Sequence, residues 1–99
     1  MNSPTFQQFE ATALAQGFDE VLERQWAADT LLDTHSHPFS VSAHIVEGSF
    51  SLTVGDQIRQ LRAGDSFVLD ADVPHAEHYG AQGARFWVAR RHPRAIVAD

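Results

Sequence analysis

The chain contains no cysteine, and that absence removes disulfides, zinc–thiolate sites and thiol nucleophiles together. Any bound metal must therefore take nitrogen or oxygen ligands. Basic residues are scarce as well: 7 Lys and Arg stand against 13 Asp and Glu, giving a net charge of -6. Phosphate-tracking surfaces rely on clustered Lys and Arg, so no nucleic-acid partner is expected. The one basic cluster, Arg90, Arg91 and Arg94, is short and terminal and reads as a solvated strand end. No apolar run approaches the roughly 20 residues that cross a bilayer. The N-terminus also lacks the charged and apolar regions of a signal peptide, so the expectation is a cytoplasmic chain with no membrane partner.

What is present suits an ordinary globular domain. Of the 99 residues, 43% are hydrophobic and 20% charged, enough apolar material for one core and too little net charge for disorder. A single domain over 1–99 is expected. Ser3-Pro4 places a capping residue before a proline, and Phe6, Phe9, Ala13 and Leu14 follow at helical spacing until Gly17 supplies a left-handed stop. This predicts a helix over 4–16 with its aromatic stripe packed on the rest of the domain.

Beyond Gly17 the texture changes to short segments rich in Val, Ile, Leu, Phe and Trp, punctuated by Gly, Pro and Asp. The pattern predicts strands at Glu20–Trp26, Thr30–His37, Ser42–Glu47, Ser49–Val54, Gln57–Leu61, Ser66–Leu69, His75–Tyr79 and Ala84–Arg90. Val54-Gly55-Asp56-Gln57 carries a tight hairpin turn, and Ala63-Gly64-Asp65 and Asp72-Val73-Pro74 mark two more. So many short antiparallel strands must cover their edges, and a jelly-roll barrel of two facing sheets does so. The fold class is therefore all-β with a short N-terminal helix.

The histidines carry the chemistry. His35-Ser36-His37 falls in an expected strand, where alternate side chains share a face, so the two imidazoles can converge on one point. His75 opens a later strand directly after the Asp72-Val73-Pro74 turn, where a neighbouring strand can bring it beside the pair. Neutral imidazole suits Fe, Mn, Ni, Cu and Zn, so one divalent transition metal with open coordination positions is the expected cofactor. Glu77, two residues after His75, shares its strand face and is a candidate acid–base group or substitute ligand. His44 and His78 have the opposite parity and should turn away, and His92, followed by Pro93, reads as solvent-exposed. Phe39, next to His37-Pro38, is placed at the pocket mouth as a substrate contact.

From about residue 20 to 90 the chain resembles the cupin superfamily. His35 and His37 match the histidine pair of the first cupin motif and Gly48, in Val46-Glu47-Gly48, its closing glycine. Gly64-Asp65 matches the opening of the second motif, and His75 its metal-binding histidine. Asp29 stands in place of the first-motif glycine, Val41 in place of the glutamate ligand, Asp70 and Asp72 in place of a proline and a glycine, and Tyr79 in place of the final asparagine. The resemblance implies a double-stranded β-helix with Val41 and Tyr79 turned to the substrate pocket. Valine cannot coordinate a metal. Two readings stay open: a three-histidine centre, as in cupins that act as thiol or diketone dioxygenases, or a metal-free site in which the histidines serve polar recognition. The first is favoured, because clustering three imidazoles otherwise lacks a reason. The functions implied are a metal-dependent small-molecule enzyme or a non-catalytic small-molecule-binding or sensing domain. A homodimer is also expected, since small cupins commonly pair through their sheets.

Overall fold

In a computed structural model, which describes residues 4–93, helix α1 spans Phe6–Ala15 and is capped by Thr5. The Thr5 hydroxyl accepts a hydrogen bond from the Gln8 amide at 3.1 Å, and the Gln8 side chain accepts one from the Thr5 amide at 2.9 Å. This reciprocal pairing needs a Gln or Glu three residues after the cap. Thr5 has Gln8 at that position, whereas Ser3 has Phe6, so the helix begins later than the Ser-Pro signal suggests; Ser3 itself lies outside the described residues. Ala13 is buried against Phe18 and Ala89, and Phe6 and Phe9 pack on the Trp87 ring at 5.7 and 5.9 Å. Leu14, counted with that stripe from its spacing, instead faces solvent with 51% of its surface exposed.

Six strands follow: β1 (Glu20–Trp26), β2 (Leu31–His35), β3 (Ser40–Val54), β4 (Gln57–Arg62), β5 (Ser66–Leu69) and β6 (His75–Arg91). Every pairing is antiparallel. The sequence suggested eight strands, with breaks at Gly48 and over 80–83. Both are instead bends inside continuous strands, so β3 and β6 each replace two expected strands. Gly48 has φ +78° and Gly83 φ +68°, and the β3–β6 register shifts on either side of Gly48. This is how a bulge redirects a strand without ending it.

Those bends create two layers from one ladder. The first half of β6 pairs with β2 and with the second half of β3, which in turn pairs with β4. The second half of β6 pairs with β1 and with the first half of β3, which pairs with β5. Between the layers lies a core of alternating inward residues that includes Val41, Ile45, Phe50, Leu52, Phe67, Tyr79, Phe86 and Val88. The hairpin Val54-Gly55-Asp56-Gln57 joins β3 to β4 as expected, and Asp65 closes the next turn by accepting the Arg62 amide at 3.0 Å. Among the described residues no helix is long and apolar enough to cross a membrane.

Arg90 and Arg91 are not simply a solvated strand end. Arg91 donates to the Gln16 carbonyl at 2.7 Å, tying the end of α1 to β6, and Arg90 pairs with Glu20 at 3.3 Å. Arg94 lies outside the described residues. His92 is not a free surface histidine either: its Nδ1 is 2.8 Å from the Asp19 carboxylate, and its ring lies 5.1 Å from that of Phe39.

Candidate metal centre

Pairing of β2 with β6 sets His35 opposite His75 in register, past an irregularity that follows Leu32. Their ring centroids lie 4.4 Å apart. His37 arrives differently from the way strand alternation suggests. The strand ends at His35, and His37 sits in the following loop, where its carbonyl accepts the Asp72 amide at 2.8 Å. Asp72, with φ +66°, belongs to the turn that leads into His75, so one hydrogen bond ties the His37 loop to the third histidine. The His37 ring is 4.8 Å from that of His75 and 5.6 Å from that of His35. One candidate ligand atom from each imidazole lies within 4.8 Å of the others.

Hydrogen bonding fixes two of the tautomers. His35 Nδ1 lies 2.7 Å from the Asp33 carbonyl, and His75 Nδ1 lies 2.9 Å from the Val73 carbonyl. A carbonyl oxygen can only accept, so each Nδ1 carries the proton and each neutral ring keeps its Nε2 lone pair free. Ligating histidines are commonly oriented in this way. The third ring, His37, stacks on Phe39 with centroids 4.4 Å apart and planes 1° from parallel. Burial first, then the nearby His75, His35 and Arg90, hold the His37 pKa below its ordinary value, while Glu77 acts the other way. A histidine with a lowered pKa stays neutral further into the acid range, and neutral imidazole is the form a metal needs.

Glu77 stands beside this cluster. Its carboxylate is buried, with Oε2 at 3.6 Å from His35 Nε2 and Oε1 accepting from the Tyr79 hydroxyl at 2.6 Å. Tyr79, read as a substrate contact, does not line the cavity. It is 1% exposed, with its ring stacked on Phe50 at 4.9 Å and tilted against Trp26 at 5.8 Å. Burial, with the adjacent Glu77 charge, pushes the Tyr79 pKa strongly upward, so the phenol remains a donor. Replacing Tyr79 by Phe leaves the Glu77 carboxylate buried without that donor and is expected to cost about 2 kcal/mol. Urea unfolding monitored by fluorescence measures it, and an unchanged midpoint would contradict the contact.

The histidines open into a cavity of about 430 Å³ between the layers. Its wall includes Phe39 and Val41, both expected there, together with Trp26, Leu52, Phe67 and Phe86. Val41 occupies the strand position from which a glutamate would have to reach the histidines, so β3 sends an apolar side chain instead. His44 packs on Trp87 outside the cavity, with centroids 5.7 Å apart, and His78 is exposed. The wall also carries Arg24 and Arg90, neither of which was assigned to the cavity from the sequence. Arg24 shares strand parity with Leu22 and Trp26, an inward-facing charge that alternation along β1 can reveal.

The family model for the cupin domain matches residues 26–88, which span the histidine pair, both bends and His75. The chain is a cupin. Solved structures agree on the fold. KdgF from a Halomonas species superposes with a TM-score of 0.66 at 17% identity, covering 75% of this chain and 68% of its own. The DMSP lyase DddQ from Ruegeria pomeroyi gives 0.68 at 20% identity, covering 78% of this cupin and 40% of the lyase. Bacillus subtilis oxalate decarboxylase, a protein with Mn(II) centres, gives 0.67 at 20% identity, with 77% of this cupin matched to 22% of that chain. At such identities the likeness establishes architecture only. No curated protein matches this sequence.

Proposed function

We propose that this cupin is a metal-dependent enzyme acting on a small molecule. His35, His37 and His75 hold one divalent transition-metal ion of the Fe, Mn, Ni or Zn kind, and Glu77 serves as the acid–base group. The observation that carries the reading is the pinning of His35 and His75 through Nδ1, which leaves their Nε2 lone pairs free beside a third imidazole on a cavity wall. Three neutral nitrogen donors fit such an ion and leave coordination positions open. The bound ion supplies Lewis-acid activation of the substrate or of O2 at those positions.

The remaining chemistry belongs to the chain. Tyr79 fixes Oε1 of Glu77, so Oε2, the oxygen nearer His35, is the one available to take or return a proton. Phe39 and Val41 shape the apolar wall against which substrate is oriented and from which water is excluded. Val41 adds no fourth ligand, which makes the centre a three-histidine site with Glu77 beside it.

The test begins with elemental analysis of protein purified without a metal-affinity tag, where about one ion per chain is expected. Turnover of a substrate panel, with O2 consumption recorded, should then fall at least a hundredfold in Glu77→Gln while metal content is unchanged. No metal under several loading conditions would sink the proposal. Metal without turnover of any candidate substrate would favour the non-catalytic binding or sensing role.

A further inference from the structure

Arg90 reaches the cavity wall from the inward face of β6, and its Nε is buried without a hydrogen-bond partner among the described residues. Its bond to Glu20 uses Nη1, at 3.3 Å, on a glutamate side chain that is 44% exposed. The Cζ atom rests 4.8 Å from the centre of the Phe39 ring, the same ring that stacks on His37. The guanidinium is thus held by one corner and one face beside the histidine cluster. On its Nε–Nη2 edge, the fork that takes a carboxylate bidentately, Nε makes no hydrogen bond to any of the described residues.

Arg24 places a second guanidinium on the same β1–β6 wall, 5.0 Å over the Trp26 ring, with no acidic partner among the described residues. Two carboxylates also line the cavity, Asp33 and Glu77. Among the described residues neither forms an ion pair with an arginine; Glu77 gives Oε1 to Tyr79 and turns Oε2 to His35. A purely structural Arg90 would leave a buried N–H unsatisfied, which costs free energy that a ligand acceptor recovers.

We propose that the cavity takes a small organic carboxylate, with its acid group on Arg90 and the remainder of the molecule directed past Phe39 toward the histidine cluster. This rests on the reading that the cavity binds a small molecule at that cluster. It narrows the substrate class to organic acids. Arg24 strengthens the positive field along the same wall.

Calorimetric titration with malonate, succinate and benzoate, each against its neutral amide, tests the assignment on metal-free and Mn-loaded protein. The acids should bind at least about tenfold more tightly than the amides. Arg90→Gln should abolish that preference, Arg90→Lys should retain part of it, and Glu20→Gln should leave it intact. The last variant removes the contacts of Glu20 with Arg90 and His92 while leaving the guanidinium in place, and thermal melting of all three shows which remain folded. Acids and amides binding alike, no acid binding either form, or a preference unchanged in Arg90→Gln or undiminished in Arg90→Lys would overturn the proposal. The metal-free arm separates this failure from that of the metal centre. Arg90-dependent acid binding in a protein that loads no metal upholds the carboxylate site and removes the metal, whereas metal loading without acid preference does the reverse.

Discussion

Replacing His35 and His37 together by alanine should reduce the bound metal from about one ion per chain to background, a loss in affinity of more than a hundredfold. Altering a residue that merely orients a ligand costs roughly 10- to 100-fold, and here two of the three ligating nitrogens vanish. The barrel should survive the change, because both histidines are only half-buried and precede the long strands that carry the core. His75→Ala should also abolish metal binding but with a larger loss of stability, since that ring is 3% exposed. Elemental analysis and titration with Zn or Mn measure the first effect, and thermal melting measures the second. A double variant that keeps stoichiometric metal would remove the basis of the proposed activity.

Acidification should act in the same direction as these substitutions. The His37 pKa lies below its ordinary 6.5 in the folded chain, so the unfolded chain takes up the proton first. The stability contributed by neutral His37 is therefore complete above about pH 6.5 and is lost as pH falls through the lower folded value. Metal retention should persist somewhat below pH 6.5 and then fail as His37 protonates. Loss of metal beginning well above that point would mean that another group controls the site.

Much of this centre was legible in the sequence, though partly through an incorrect intermediate step. H-x-H spacing brought His35 and His37 together on paper by strand alternation, whereas the chain does so by leaving the strand and anchoring the His37 carbonyl to Asp72. Parity alone placed Glu77 beside His75, because the first half of β6 is regular. Tyr79 shares that parity and was assigned to the pocket, yet its ring is drawn into the core between Phe50 and Trp26, and only its hydroxyl reaches back to Glu77. Alternation tells which face a side chain takes and nothing about depth along that face. Arg90 escaped notice for a related reason: beside Arg91 it looks like a charged terminus, and only pairing with β1 reveals that it faces inward.

The positions of the bends were visible as glycines, but their meaning was not, and Gly48 shows why most clearly. Its φ of +78° suits a strand-ending turn as well as it suits a bulge. The distinction lies in the partner strand, which a single segment of sequence does not contain. A Cβ added at Gly48 would overlap the Gly83 carbonyl oxygen and come within 2.8 Å of Ala84 Cα. Gly83 in turn permits an equally close approach of the Trp26 carbonyl. Three backbones from β3, β6 and the end of β1 are therefore stacked where the long strands pass from one layer to the other.

Gly48→Ala should destabilise the fold by about 4 kcal/mol, combining left-handed strain at a non-glycine residue with overpacking against groups that have no alternative rotamer. Gly55→Ala supplies the comparison. Gly55 also has a positive φ, +57°, but an added Cβ there meets nothing within 4 Å. Its cost should be the conformational part alone, about 1 kcal/mol. Urea unfolding of both variants should separate their midpoints widely at a common slope. Equal midpoints would mean that β3 and β6 do not approach at Gly48 as described. The consequence would reach the histidine cluster, because the bend sets the half of β6 that carries His75 and Glu77 at an angle to the half that carries Arg90.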